Sequence, residues 1–433
     1  MKESNIIEIL NKELVRSLGC TEPITITYAV ALARKQIKNE LITKVEIKAS
    51  RNLIKNAMSV TIPGTRSCKI NLSSALLAGA LGVIKPLKEK NFEILINLNK
   101  NDVENAKELV SEGLIDINLY DSKSKLYLEV IVESRASLAR VVIEDSHSNV
   151  KLIEVNGEII KKNDHVHSNT TKKCEYDNFL NIKSILEFVQ KVEVSKLEII
   201  KKTIKINKNI CQEGLEKSYG LKVGRSIEIN KSTGFFSNDI VSNVVAYTAA
   251  GSDARMSGCS LPAMSNSGSG NQGISATIPV VVVAEEMNFP MEKEIRAVTL
   301  SNLITLFIKS NIGRLSAVCG ASISAMGACC GITFLLGGER REIESALQLM
   351  MANVTGIICD GAKSGCALKI STCTFAAVQT ALMALDGISI DAKEGIIEDE
   401  AEKTMQNFCN VANSGMVKVD QLILDIMLQK SHS

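Results

Sequence analysis

Three cysteines in the last third of the chain, Cys319, Cys359 and Cys366, stand 40 and then 7 residues apart, the last two closing the run CDGAKSGC. Thiolates are soft ligands suited to zinc and to iron–sulfur clusters. Zinc sites favour close C-x2–4-C pairs and ferredoxin-type clusters favour C-x2-C runs, and the chain has neither. The spacing leaves open buried thiols, a metal ion, or a cluster held by three thiols with one iron free to act as a Lewis acid. Cys329 and Cys330 are adjacent, so on a helix they point to different faces and read most simply as buried small residues.

A second constellation is SNSGSGNQG, residues 265–273, which contains G-x-G-x-x-G at Gly268, Gly270 and Gly273. A dinucleotide fold needs a strand immediately before it, and GCSLPAM is not one. The loop's physics remains: glycines bare the backbone N–H groups and an apolar helix follows, a pattern that binds carboxylate or phosphate. Asn266 and Ser267 add side-chain donors, and Gly268 and Gly270 allow close approach. A third feature is Cys20, which falls in a break between two helical patterns, after Gly19 and before Thr21 and Pro23. A thiol beside a helix amino terminus is expected to have a lowered pKa.

These groups sit in a chain of 433 residues with 12 Cys, 4 His and no Trp. Lys and Arg number 50 against 48 Asp and Glu, a net charge of +2 that gives no electrostatic case for a nucleic-acid partner or an acidic membrane surface. The amino-terminal MKESNIIEILNKELVRS carries Glu8 and Glu13 within its apolar pattern and lacks the apolar core of a signal peptide. A cytoplasmic location with reduced thiols is therefore expected, and disulfides are not. Residues 315–338 hold no charge, but they are crowded with Gly, Ala, Ser and Cys. A buried central helix is expected there rather than a membrane span.

Apolar residues at Ile7, Leu10, Leu14 and Leu18 predict a helix over 4–18, and ITITYAVALARKQI continues a second helix capped by Thr21. Residues 44–170 alternate like strands in KVEIKAS, MSVTIP, FEILINL, INLYD, KLYLEVIVES, RVVIED and VKLIEVNGEII, with helices expected at 72–83 and 103–113. The polar stretch 161–179 reads as a boundary, and His165 and His167 there as a solvated loop. From about 180 the patterns are helical, at 181–206, 238–257, 271–287, 291–310, 313–336, 341–357 and 370–386. The expectation is an α+β protein: residues 1–175 form amino-terminal helices plus an α/β domain with a mixed sheet. Residues 176–433 form a mainly helical, Gly/Ala-rich domain.

The segments GCTEP at 19–23, IKNAMSVTIPGT at 54–65, SGCSLPAMSNSGSGNQG at 257–273 and ICDGAKSGCALK at 358–369 resemble, in matching order, the L-cysteine desulfidase family. That family is related to the alpha part of iron–sulfur L-serine dehydratases, and the resemblance spans nearly the whole chain. It implies an oxygen-sensitive 4Fe–4S cluster and a pyridoxal-phosphate-independent elimination of hydrogen sulfide or water from a small amino acid. It implies Cys319, Cys359 and Cys366 as cluster ligands and Cys20 as the thiol base. DSHSNV at 145–150 resembles the family's His-Thr-Asn stretch with Ser148 for Thr, and the resemblance implies a substrate contact there, at His147. Arg66, Ser67 and Cys68 replace a glycine-rich continuation. Lys363 and Lys369 are placed to neutralise carboxylate or cluster charge. L-cysteine and L-serine both stay open as substrates. The rival readings are a pyridoxal-phosphate lyase using the glycine-rich loop, a non-catalytic iron–sulfur redox sensor, and a membrane transporter. A homodimer is the default expectation for a soluble enzyme.

Overall fold

The computed structural model describes residues 3–37, 40–65, 74–85, 87, 94–95, 98–122, 124–163, 180–313 and 315–431. Arg66, Ser67, Cys68, His165 and His167 lie outside them, as does most of FEILINL.

Helix α1 (Glu3–Glu13) ends earlier than its apolar spacing predicts. Strand β1 (Arg16–Ser17) pairs antiparallel with β8 (Ala263–Met264), so Leu18 leaves the helix for an extended segment. Gly19, at φ +75, turns that segment into α2 (Thr21–Gln36). Cys20, not Thr21, is the N-cap of α2, and its side chain makes no capping bond.

The sheet runs β3-β2-β4-β5-β6-β7, with β2 (Ile42–Ala49) parallel to β3 (Ile115–Leu119). The remaining neighbours are antiparallel: β4 (Tyr127–Ser134), β5 (Leu138–Glu144), β6 (Val150–Val155) and β7 (Glu158–Lys162). The sheet is mixed, as the alternation implied. MSVTIP is not a strand: α3 (Arg51–Ala57) precedes it and the chain then turns. Helices α2, α4 (Ser74–Ile84) and α5 (Lys100–Ser111) supply apolar side chains to the core under the sheet. Its buried members include Ile24, Val45, Ile47, Leu81, Val130 and Val141.

The second core is helical. It is built from α6 (Ile182–Lys191), α7 (Glu198–Glu216), α9 (Ile240–Met256), α10 (Gly270–Glu286), α11 (Met291–Ile312), α12 (Gly320–Leu335), α13 (Arg340–Val354), α14 (Cys366–Leu385) and α15 (Ala401–Asn410). A short helix, α8 (Val223–Asn230), packs on α9. Small residues set the spacing here: a Cβ at Gly327 would lie 2.4 Å from the Ser301 carbonyl on α11. Helix α12 is buried among its neighbours along nearly all its length. One described helix, Cys366–Leu385, is long and apolar enough to cross a membrane, and half of it is buried inside the protein.

Sequence order and packing order differ at both ends. Ile6, Ile9, Leu10 and Leu14 from the amino terminus join the helical core. Leu424, from α16 (Val417–Ser431), joins the core under the sheet. Asp420 on α16 pairs with the buried Lys55 ammonium of α3 at 2.5 Å. Lys55 also donates to the Cys359 carbonyl at 3.2 Å, which anchors the cysteine loop to both cores.

Candidate active site

Cys319 and Cys359 are far apart in sequence but lie on two segments that pair. Val318 and Ile358 form an isolated antiparallel bridge. The Cys319 N–H donates to the Ile357 carbonyl at 3.0 Å, and the Cys359 N–H to the Ala317 carbonyl at 2.6 Å. Gly361, at φ +92, then bends the chain where a Cβ would lie 2.6 Å from the Lys55 carbonyl. Only glycine tolerates both the left-handed conformation and that approach. The bend delivers Cys366 to the start of α14.

All three thiols line one cavity of about 90 Å³, and Cys20 lines it too. Among the described residues, four α-helices begin at this cavity. Cys20 is the N-cap of α2, Ser269 the N-cap of α10, Cys319 the N-cap of α12, and Cys366 the first residue of α14. Each amino terminus carries roughly half a positive charge and unpaired N–H groups. Arg255, from the last turn of α9, adds a full charge to the same wall. The summed field favours anions, whether thiolates or a carboxylate. Met256 separates this cavity from a larger one of about 550 Å³, which Ser59, Thr61, Ser257 and Ser364 line.

Cys20 carries the clearest proton link. Its thiol donates to Glu22 Oε2 at 2.8 Å. Glu22 is buried and also lines the cavity. Asn56 Nδ2 donates to its other oxygen at 2.9 Å, and His147 Nε2 lies 3.9 Å from that oxygen. Burial pushes Glu22 upward, but the charge of His147 and the hydrogen bonds from Cys20 and Asn56 outweigh it and leave the carboxyl below its ordinary value. The thiol shifts the other way: burial, then the Glu22 charge, push it well above its ordinary value, against a smaller pull from Arg255. The lowered pKa expected from the helix terminus is reversed, because the desolvated thiol faces a carboxylate. The resting pair is a thiol on Cys20 and a carboxylate on Glu22.

Cys319 and Cys366 shift the same way as Cys20. Burial, then Cys359 and Cys366, push Cys319 well above its ordinary value. Cys366 is raised by burial, with Cys359 adding to the rise, and this is partly offset by a backbone hydrogen bond at Lys363 and by the charges of Lys369 and Arg255. Among the described residues, no three His, Cys, Asp or Glu side chains converge closely enough to hold a single metal ion.

The glycine-rich loop divides. Ser269, Asn271 and Gln272 line the cavity, whereas Asn266, Ser267, Gly268 and Gly270 do not. Asn266 is fully buried and donates to Asn302, and Ser267 Oγ donates to Asn266 Oδ1. The Gly268 carbonyl accepts from Thr21 Oγ1 at 2.9 Å, which fixes the loop against the Cys20 segment. At Gly270 the missing Cβ makes room for Arg255, whose Nε would lie 2.3 Å from it. Lys363 and Lys369 both pair with Asp360 and line no part of the cavity. His147 reaches the site through Glu22 and does not line the cavity.

Sequence reasoning singled out neither Glu22, Asn56, Arg255, Asn271 nor Gln272. Glu22 and Asn56 lie inside segments already picked out, GCTEP and IKNAMSVTIPGT. Arg255 was readable as a charge inside the small-residue run AAGSDARMSG.

Comparison with known proteins matches residues 89–425 to the serine dehydratase alpha chain family. The chain is 42% identical over 426 residues to a UPF0597 protein of Clostridium perfringens strain ATCC 13124, covering 98% of each. It is 39% identical over 427 residues to a UPF0597 protein of Oleidesulfovibrio alaskensis, covering 99% of this chain and 98% of the other. A UPF0597 protein of Photobacterium profundum is 39% identical over 429 residues, with 99% of each covered.

Proposed function

The chain belongs to the serine dehydratase alpha chain family, and from that premise we propose that it is an iron–sulfur L-cysteine desulfidase. It would convert L-cysteine to pyruvate, ammonia and hydrogen sulfide by β-elimination. The observation that carries the reading is the convergence of Cys20, Cys319, Cys359 and Cys366 on one small cavity at four helix amino termini. The family is generally iron–sulfur associated, and the donor set fits such a group: three thiols and a positive field for the charge they carry when ionised, while Glu22 on the same lining is taken up by Cys20 and Asn56. Cys319, Cys359 and Cys366 would hold a 4Fe–4S cluster. When bound, it supplies an open iron, a Lewis acid toward the substrate's β-substituent.

The chain's own residues handle the proton. Cys20 Sγ–H points at the Glu22 carboxylate, so the thiol proton has an acceptor 2.8 Å away. Transfer of that proton to Glu22 Oε2 frees Sγ to take the substrate's Cα proton. The Cα–H electron pair forms the Cα=Cβ bond, and the Cβ–S pair departs with sulfur. Cys20 then holds the Cα proton and Glu22 the former thiol proton; one of the two passes to the leaving hydrosulfide to give hydrogen sulfide, and the other stays on Sγ, which restores the thiol and the carboxylate. The 2-aminoacrylate released tautomerises to an imine, and water hydrolyses it to pyruvate and ammonia. Asn56 and His147 hold the carboxylate in place, the role a third group plays in any nucleophile–base pair. The cavity admits only a small substrate, and Met256, Ala321, Ala362 and Ile370 give it apolar walls that suit a thiol.

The second reading is L-serine dehydratase, favoured by the name of the matching family. Anaerobic purification and a visible spectrum test the cofactor: a broad absorption that bleaches in air supports it. Assays of sulfide, pyruvate and ammonia from L-cysteine and from L-serine test the substrate. Turnover of serine alone selects the second reading, and a colourless protein that turns over neither rejects both.

A further inference from the structure

Arg255 is 3% exposed and sits on the cavity wall with its hydrogen bonding unfinished. Its Nη2 donates to the Gly19 carbonyl at 2.8 Å, while its Nε is buried with no partner. A guanidinium carries five N–H donors, and a buried donor left unmade costs about 1–3 kcal/mol. The side chain is held in this position. The Gly19 carbonyl pins one end, and the space left by the absent Cβ of Gly270 seats the other. Among the described residues lining the cavity, Arg255 and Glu22 are the only ionisable groups besides the cysteines. Glu22 is committed to Cys20 and Asn56. On that wall no carboxylate is left over for Arg255.

The same cavity holds an unfinished acceptor. Asn271, in the first turn of α10, lines it, and its Oδ1 is buried with no partner. A fixed planar donor fork and a bare carbonyl oxygen form the complement of a zwitterion. A carboxylate matches the guanidinium in the bidentate geometry that lysine cannot reproduce. An ammonium matches an amide oxygen.

We propose that Arg255 clamps the carboxylate of a small α-amino acid and that Asn271 Oδ1 receives its ammonium. This rests on the reading of the chain as an amino-acid lyase. It assigns carboxylate recognition to the end of α9 rather than to the backbone of residues 265–273. It also gives Gly270 a role: its missing side chain seats the clamp.

The test is equilibrium binding to anaerobically prepared, iron-loaded protein, followed by the change in its visible spectrum. The probes are L-cysteine, L-alanine, which has no leaving group, and cysteamine, which has no carboxylate. The parent is expected to bind L-cysteine about 10²-fold or more tightly than cysteamine, the scale of a buried, hydrogen-bonded charge pair. In Arg255→Gln that preference is expected to collapse to within about threefold, with cysteamine affinity and iron content near the parent's. Arg255→Lys keeps the charge and loses the fork, so the preference is expected to fall about tenfold or more, with KM rising more than kcat falls. A parent that binds cysteamine as tightly as L-cysteine overturns the proposal whatever the variants do. So does an Arg255→Gln protein that loses both ligands equally, which makes Arg255 a general counter-charge. If L-alanine binds in an Arg255-dependent way while neither cysteine nor serine is consumed, the clamp stands and the lyase reading falls. If cysteine is consumed and its preference over cysteamine survives Arg255→Gln, the clamp falls and the lyase reading stands.

Discussion

Replacing Glu22 with Gln isolates the proton acceptor from everything else the site does. The fold has a way to accept the change. Asn56 Nδ2 now donates to Glu22 Oε1 at 2.9 Å, while Asn56 Oδ1 is buried without a partner. If the Asn56 amide turns over, its Oδ1 accepts from the amide nitrogen introduced at position 22, and the pair stays satisfied. The Cys20 thiol keeps an acceptor in the new amide oxygen, but that oxygen cannot take its proton at neutral pH. Stability should change by less than about 1 kcal/mol, because one hydrogen-bonded arrangement replaces another. Turnover should fall about 10²–10⁴-fold, the usual worth of a positioned base, or about 3–5 kcal/mol of barrier. Glu22→Asp should also be impaired. One methylene withdraws the carboxylate by about 1.5 Å and breaks the 2.8 Å bond to Cys20 Sγ. The pH profile gives the sign. Glu22 must be ionised to act, and its pKa lies below the ordinary value of 4.5. Its acid limb should therefore fall below about pH 4.5 in the parent and vanish in the Gln variant. The decisive assay is exchange of the Cα hydrogen of L-alanine with solvent deuterium, which reads proton abstraction without elimination. Exchange within about threefold of the parent in Glu22→Gln, with iron intact, would refute the acceptor role.

Serine at Cys319, Cys359 or Cys366 should each remove most iron and acid-labile sulfide. Cys329→Ser should keep them, because Cys329 Sγ contacts Thr380 Oγ1 at 3.1 Å and lines no part of the cavity. Iron and sulfide analysis on anaerobic samples decides. Gly273→Ala should cost about 1–3 kcal/mol in a denaturant titration, since its Cβ would lie 1.8 Å from the Met264 carbonyl and only backbone movement relieves it. Gly113, at φ +72 with open space around it, should lose only about 1 kcal/mol on the same change. Burial pushes Asp253 up to about 7, although it accepts from the Gly224 N–H at the start of α8. Between its ordinary value of 3.8 and about 7 the folded state holds a proton that the unfolded chain has released, so its contribution to stability is lost as pH rises through that window. Asp253→Asn should raise the melting temperature at about pH 8 relative to the parent and change it little at about pH 4. An equal shift at both pH values would remove the carboxylate from the account.

Much of the architecture was legible because local chemistry agrees with the fold. Period-two alternation in KLYLEVIVES and RVVIED gave β4 and β5, whose apolar faces cover the core. The uncharged run around α12 read as buried because Gly and Ala permit close helix contact, and Gly327 and Gly331 both meet α11. MSVTIP misled because its alternation is short and serves a turn after α3, not a ladder. The end of α1 misled because a tertiary partner, Ala263–Met264, captured residues that helical spacing had claimed.

At the site, residue types were readable and partnerships were not. The sequence by itself determined that Cys20 stands in a break between two helices and that Cys359 and Cys366 flank a glycine-bearing turn, but it placed Cys319 inside a helix over 313–336, where the structure starts α12 only at Gly320. It determined the mixed sheet, the helical half and the near-zero charge balance. Only the tertiary structure decided that Cys319 meets Cys359, through a bridge between segments 40 residues apart. It alone turned Cys20 from an expected thiolate into a thiol held by Glu22, because desolvation and a facing carboxylate outweigh a helix terminus. It alone brought Arg255, from α9, to the start of α10 in the space that Gly270 leaves. Hydrogen bonds, burial and charge act over a few ångströms in space, and no spacing along the chain encodes which distant residues will share that volume.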